Sequence, residues 1–325
     1  MTRFTRALPG LLLAAGLACA VPAAAQITEQ SLALDTPGGQ VAGTLQLPAA
    51  GARPMVALII AGSGPTDRDG NNSMIPGRND SLKMLAAALA DAGIATLRYD
   101  KRGIAASLAA APDESALRFE TYVDDAAAWI GRLKADPRFS SVAVIGHSEG
   151  SLIGMLAAQQ ARASAFVSIA GVADGASTVL RKQLAGKLPP ELEPENERIL
   201  AALESGVTVD PVPPALGAMY RPSVQPYLIS WFKYVPSQRI AELTMPVLVV
   251  QGNTDLQVAV REANVLHAAS QNAKLVIIPG MNHVLKHVRA EPERQAASYG
   301  DPSLPVSPLL VKAVADFLHK ASPAG

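Results

Sequence analysis

The chain has 325 residues, 28 basic against 28 acidic side chains, and a composition that is 49% hydrophobic and 17% charged. That is enough apolar matter for one large core, and α/β domains of this size are often single. The balanced charge and the lack of any basic run speak against nucleic acid or an acidic lipid surface as partner.

The chain opens on a processing signal. Arg3 and Arg6 make a positive start, residues 11–21 form an apolar stretch, and Ala23-Ala24-Ala25 supplies small residues for cleavage before Gln26. This reads as a signal peptide over 1–25, with the mature chain over 26–325. The apolar stretch is short for a transmembrane span, so no stable membrane anchor is expected; an uncleaved anchor is the alternative. Gly16-Leu17-Ala18 before Cys19 lacks the leucine of a lipoprotein signal. Cleavage removes two of the 28 basic residues and none of the 28 acidic ones, leaving a net charge of about −2, too small to steer a ligand. It also removes Cys19, the single cysteine, so a mature periplasmic or secreted protein is expected without disulfide or thiol chemistry.

After the leader, 31–36 and 41–47 alternate around Pro37-Gly38-Gly39 and predict an antiparallel hairpin. Strand 56–61, helix 82–92 ending at Gly93, strand 95–99 and helix 119–134 follow. The last carries Tyr122, Ala126, Trp129, Ile130 and Leu133 on one stripe. Strand 141–145, helix 149–158 and strand 165–170 come next, and after an interruption strand 247–250, helix 261–270, strand 274–278 and helix 309–319. Strands that are nearly continuously apolar, alternating with helices, predict an α/β fold: a mostly parallel central sheet covered by helices on both faces. The interruption, about 174–239, mixes prolines and charges with helical pieces at 178–187, 195–205 and 227–234. It is expected to be a helical cap inserted above the carboxyl edge of the sheet, where such folds bind ligands; a structural excursion that touches no ligand is the other reading.

Gly146-His147-Ser148-Glu149-Gly150 lies between a strand and a helix. The five-residue pattern is short enough to arise by chance, so its weight comes from that context. A Gly-x-Ser-x-Gly at a strand-to-helix turn is a nucleophile elbow, with the serine hydroxyl displayed on a strained corner. Serine needs a base, and the base an orienting carboxylate. In this arrangement the chain order is serine, acid, histidine. Asp255 follows the apolar strand 247–250, and His283 follows strand 274–278. Of the five histidines, His147 sits inside the elbow and is expected to turn away from Ser148, His267 and His319 lie on helices, and His287 is the one competitor. Asp210 and Asp301 are poorly placed as alternative acids.

An oxyanion needs two amide donors. Glu149, next after the serine, supplies one; Ser63 in the loop 61–71 is the candidate for the other, with Gly64 as the alternative. The Glu149 side chain is read as a carboxylate favoured by the helix dipole. In 98–103, Arg98, Asp100, Lys101 and Arg102 are expected to pair with Asp67, Arg68 and Asp69 as braces of the site loops rather than to hold substrate. Trp231, Phe232 and Tyr234 either line an acyl pocket or pack the cap onto the body. No metal-ligand or phosphate-loop pattern is present, so no cofactor and no metal are implied.

Gly62-Ser63-Gly64-Pro65 with 67–71, the run 98–103, Gly146–Gly150, 252–255 with Gln257-Val258, and Asn282-His283 together resemble the α/β-hydrolase superfamily, and within it secreted bacterial carboxylesterase-like members with a serine-aminopeptidase-type domain. The usual His-Gly before the oxyanion loop is Ala61-Gly62 here. The resemblance implies a serine hydrolase acting on a small-molecule acyl substrate. A carboxylesterase with a Ser148, His283, Asp255 triad is the leading reading. An exopeptidase, amidase or thioesterase on the same fold, or a non-catalytic binding protein on this scaffold, are the alternatives.

Overall fold

The computed structural model describes residues 1–2, 27–49 and 53–322; the expected signal peptide, Cys19 included, lies outside the described residues apart from its first two. Strands β1 (Thr28–Thr36) and β2 (Gly39–Leu47) form the expected hairpin, paired antiparallel from Thr36 opposite Gly39. They are followed by β3 (Val56–Ile60), α1 (Ser81–Asp91), β4 (Ala95–Tyr99), α2 (Phe119–Ala135), β5 (Val142–His147), α3 (Glu149–Gln160) and β6 (Ala165–Ile169). After the interruption come β7 (Val247–Gly252), a helix over Val260–Ala269, β8 (Ala273–Ile278) and a C-terminal helix over Pro308–Ala321.

The strands make one eight-stranded sheet in the order β1-β2-β4-β3-β5-β6-β7-β8. Its first two pairings are antiparallel and all the others parallel. Every residue of β3, β4, β5, β6 and β7 is buried, as strands covered on both faces must be. Alternate residues feed two cores. Leu58, Val144, Phe166 and Val249 meet α2, α3 and the Val260–Ala269 helix. Ala57, Ile59, Ile145, Val167 and Val250 meet α1 and the C-terminal helix. The stripe predicted on α2 is buried along its whole length.

Between β6 and β7 stand α4 (Ala176–Leu184), α5 (Glu193–Glu204), α6 (Gly217–Tyr220), α7 (Gln225–Trp231) and α8 (Pro236–Ala241); the helices after β7 are then α9 (Val260–Ala269), α10 (Pro292–Ser298) and α11 (Pro308–Ala321). The sequence predicts neither α6, α8 nor α10. All three have seven residues or fewer, too short for a 3.6-residue period to register. The α4–α8 segment extends the α2 core: Leu200, Leu203, Leu216, Tyr220 and Leu228 are buried in it. Rings do much of the joining. Phe119 stacks on Trp231 at 5.9 Å and tilts against Tyr234 at 5.5 Å, and Tyr122 meets Tyr227 edge-on at 5.5 Å. Of the cap aromatics, Trp231 and Tyr234 pack on Phe119 of α2.

Candidate active site

The carboxyl edge of the sheet gathers the candidate residues. At the corner between β5 and α3, Ser148 has φ 54° and ψ −122°, a conformation costly for a residue with a side chain and held only by its surroundings. Its amide is tied to the Ile169 carbonyl at 3.0 Å. The flanking glycines make the corner possible. A Cβ on Gly146 would drive into the Gly150 carbonyl, and one on Gly150 into the carbonyls of Ile60 and Ala61 on the neighbouring strand and its end. Ser148 thus caps the twelve-residue helix α3, whose free N-terminal amides and dipole favour negative charge at that spot.

Asp255 and His283 meet across the ends of β7 and β8. Asp255 Oδ2 accepts from His283 Nδ1 at 2.8 Å, and its side chain is fully buried. Its Oδ1 accepts the amides of Gln257 and Val258 at 2.8 and 2.9 Å, while Gln251 Nε2 also donates to Oδ2 at 3.0 Å. Burial pushes the carboxyl pKa up, but the His283 ring and these donors outweigh it, leaving Asp255 below its ordinary value and ionised. A charged acceptor at Nδ1 fixes the tautomer with hydrogen on Nδ1 and a lone pair on Nε2. Nε2 makes no hydrogen bond among the described residues, and none joins His283 to Ser148. His287 is exposed and covers Gly280. Asp210 is exposed in the cap segment, and Asp301 accepts from Ser303.

His147 does more than occupy the elbow. Its Nε2 lies 2.8 Å from the His283 carbonyl and its ring 4.9 Å from the His283 ring. The residue before the candidate nucleophile therefore ties the elbow to the histidine loop. Burial first, and the neighbouring His283 second, push the His147 pKa down to about 3, so it stays neutral and donates to that carbonyl. Strand alternation does not reveal this, because the partner comes from a loop 136 residues away.

The loop carrying Ser63 lies against the elbow: a Cβ on Gly62 would sit 3.2 Å from the Ser148 Cβ. The Ser63 and Glu149 amides donate to no group among the described residues. Two of the expected braces form, while Lys101 and Arg102 pair elsewhere, with Glu149 and Asp125. Arg68 pairs with Asp100 at 2.8 Å and donates its amide to the same carboxylate at 2.7 Å. Arg98 reaches Asp69 at 2.8 Å, and Arg102 Nε reaches Asp125 at 2.7 Å. Asp67 folds back on the Asp69 and Asn71 amides, both at 2.9 Å.

The Glu149 carboxylate is not merely a dipole partner. It is buried, paired with Lys101 Nζ at 2.7 Å, and accepts the Tyr227 hydroxyl at 2.6 Å. Among the described residues, no cluster of acidic, histidine or cysteine side chains could hold a metal ion, and no helix is long and apolar enough to cross a membrane.

A sheet in this order that turns from its fifth strand into a helix through a strained serine is the α/β-hydrolase fold. Comparison with known proteins agrees with the resemblance read from the motifs. Residues 76–209 match the family described as "Serine aminopeptidase, S33", a stretch holding Ser148 but not Ser63, Asp255 or His283. The chain is 28% identical to the esterase EstD of Thermotoga maritima over 240 residues, which is 72% of this chain and 56% of that protein; it thus spans about half the length of that curated relative. Est1E from Butyrivibrio proteoclasticus superposes with a TM-score of 0.58 at 19% identity, covering 90% of this chain and 98% of its own. XC6422 from Xanthomonas campestris, described as a serine hydrolase without lid, gives 0.52 at 19%, covering 91% and 96%. At these identities the two structures bear on the fold alone.

Proposed function

We propose that the protein is a serine carboxylesterase that cleaves small acyl esters through an acyl-enzyme. The observation that carries this reading is the Asp255–His283 pair: a buried, ionised carboxylate on Nδ1 leaves Nε2 as the base, one residue contact away from the Ser148 elbow. In the first half-reaction Ser148 Oγ attacks the ester carbonyl carbon as His283 Nε2 takes its proton. The oxyanion is received by the Ser63 amide in the loop after β3 and the Glu149 amide at the start of α3. The tetrahedral adduct collapses, and His283 returns the proton to the departing alcohol. Water then enters, loses a proton to Nε2 and attacks the acyl carbon; the second adduct collapses as His283 returns that proton to Ser148 Oγ, freeing the acid. Asp255 holds the imidazole and stays charged throughout.

The esterase names of relatives support an ester over an amide. An aminopeptidase would need a free carboxylate to hold the substrate's ammonium group, whereas Asp67, Asp69, Asp100 and Glu149 around the elbow are all committed to internal partners. Nitrophenyl esters of increasing acyl length, with matched anilides and thioesters, test the proposal on wild type and Ser148→Ala. Ester turnover in wild type and a loss of about a million-fold in Ser148→Ala are expected. Equal rates in the two proteins overturn it, as does faster cleavage of the anilides. A fluorophosphonate that fails to label Ser148 would favour a binding protein on this scaffold.

The leader at 1–25 further supports export to the periplasm or beyond. N-terminal sequencing of exported protein should begin at Gln26, and an intact leader in the membrane fraction would refute this.

A further inference from the structure

Behind the two candidate oxyanion amides lies a buried cation that the reaction above does not use. Lys101 follows β4 by two residues, and its side chain is 2% exposed. Its ammonium makes two hydrogen bonds and lies over one ring. Nζ is 2.7 Å from the Gly62 carbonyl, 2.7 Å from Glu149 Oε2, and 5.2 Å from the centre of the Tyr122 ring. Two of these targets belong to the oxyanion hole. Glu149 is the residue whose amide is one donor. The Gly62 carbonyl shares a peptide plane with the other donor, the Ser63 amide.

In a planar trans peptide, C=O and N–H point in opposite directions. Holding the Gly62 oxygen on Lys101 therefore turns the Ser63 N–H the other way, away from Lys101. A flip of that plane would aim a carbonyl oxygen, not a donor, at the developing oxyanion. Such a flip turns ψ of residue 62, and Gly62 has no side chain to oppose it. A Cβ at 62 would sit tightly against the Ser148 Cβ, 3.2 Å away, so the position favours glycine. A close approach that favours glycine leaves a looser peptide, which an external hold steadies.

We propose that Lys101 is a positioning residue that fixes the Gly62–Ser63 peptide with its amide toward Ser148, and that Glu149 and the cap residue Tyr227 hold Lys101 in place. The Tyr227 hydroxyl, 2.6 Å from Glu149 Oε1, makes the cap part of the same device. This rests on the hydrolase reading of the site.

The test pairs Lys101→Met with the double variant Lys101→Met/Glu149→Gln, which leaves no stranded charge. Steady-state hydrolysis of nitrophenyl acetate and a crystal structure of the double variant are the readouts. Both proteins should lose about a hundredfold in kcat, with KM within about threefold of wild type, as when an oxyanion donor is removed. The crystal structure should show the Gly62 carbonyl turned into the site. If the double variant recovers the wild-type rate, Lys101 serves only to neutralise Glu149 and the proposal falls. It also falls if the carbonyl keeps its direction. Should wild type prove inactive on esters and unlabelled by a fluorophosphonate, the hydrolase reading fails, while the carbonyl's direction still decides the role of Lys101.

Discussion

The strand-end loops and the cap segment meet beside Ser148, and they are held in different ways. The loops are fastened by short charged contacts in buried surroundings: Asp255 on His283, Arg68 on Asp100, Arg98 on Asp69, Lys101 on Glu149. Beside the site, the segment between β6 and β7 is fastened by stacked rings and by hydrogen bonds with at most one charged partner: Phe119 on Trp231, the Phe119 amide to Ser230 Oγ at 2.7 Å, Tyr234 to Glu120 at 2.9 Å, Tyr227 to Glu149; its ion pairs, such as Arg221 with Glu114, lie at the surface. Charge-assisted bonds fix direction, which a group acting on a reacting atom requires. Ring packing fixes position with looser orientation. Variants in the loops should therefore cost rate, and variants in the cap should cost stability.

The largest expected effect is at the acid. Asp255→Asn presents a neutral amide to His283 Nδ1, removes the charge that stabilises the imidazolium, and permits the wrong tautomer. A fall of about ten-thousandfold in kcat on nitrophenyl esters is expected. A loss of less than tenfold would mean that the His283 orientation comes from elsewhere and that the loops are not held by charge in the sense above.

A smaller effect is expected at His147, and it appears in stability as a function of pH. Its folded-state pKa is lowered to about 3 from an ordinary value of 6.5. Above pH 6.5 the group is neutral in both states and its contact with the His283 carbonyl is fully present. As pH falls from 6.5 to 3 the unfolded chain takes up a proton that the folded one refuses, so stability declines by a few kcal/mol over that window. His147→Gln keeps an N–H for the carbonyl but cannot be protonated. Its melting temperature should fall less steeply than that of wild type between pH 6.5 and pH 3. Parallel curves would show that the elbow and the histidine loop are not joined through this ring.

How much of this could be read in the sequence follows the same division. The strands were legible because a parallel sheet buried on both faces demands unbroken apolar runs, as in Val56–Ile60 and Val247–Val250. The order Ser148, Asp255, His283 was legible because each residue ends a recognisable strand, and the structure brings Asp255 to His283. The partners were not. Gln251, His147, Lys101 and Tyr227 meet their targets across loops, and Tyr227 is 78 residues from Glu149; no local period encodes such a pairing. The available signal for Lys101 was a cation just after the buried strand β4, matched by an acid in the first turn of α3. Once both are buried, they have to find each other. The segment between β6 and β7 was least legible because α6 and α8 are short and begin at glycine or proline, so propensity and period both fail there.

The smallest effects separate the two kinds of fastening within the cap itself. Tyr227→Phe deletes one hydroxyl and leaves Glu149 with Lys101 as its remaining partner. A buried bond to a charged acceptor contributes about 1.5–3 kcal/mol, so the variant should melt several degrees lower. If the cap helps to hold Lys101 through Glu149, kcat should also drop, by about threefold to tenfold, because the carboxylate gains freedom to move. Arg221→Ala removes the surface pair with Glu114, in which both side chains are more than a third exposed. Such a pair contributes about 0–1 kcal/mol because water competes with it and ordering two long side chains has its own cost. Its kcat should match wild type. Scanning calorimetry and nitrophenyl acetate kinetics on the two variants decide the matter: equal effects on kcat would place the cap outside the catalytic machinery, and an effect confined to Tyr227→Phe would place one hydroxyl of it inside.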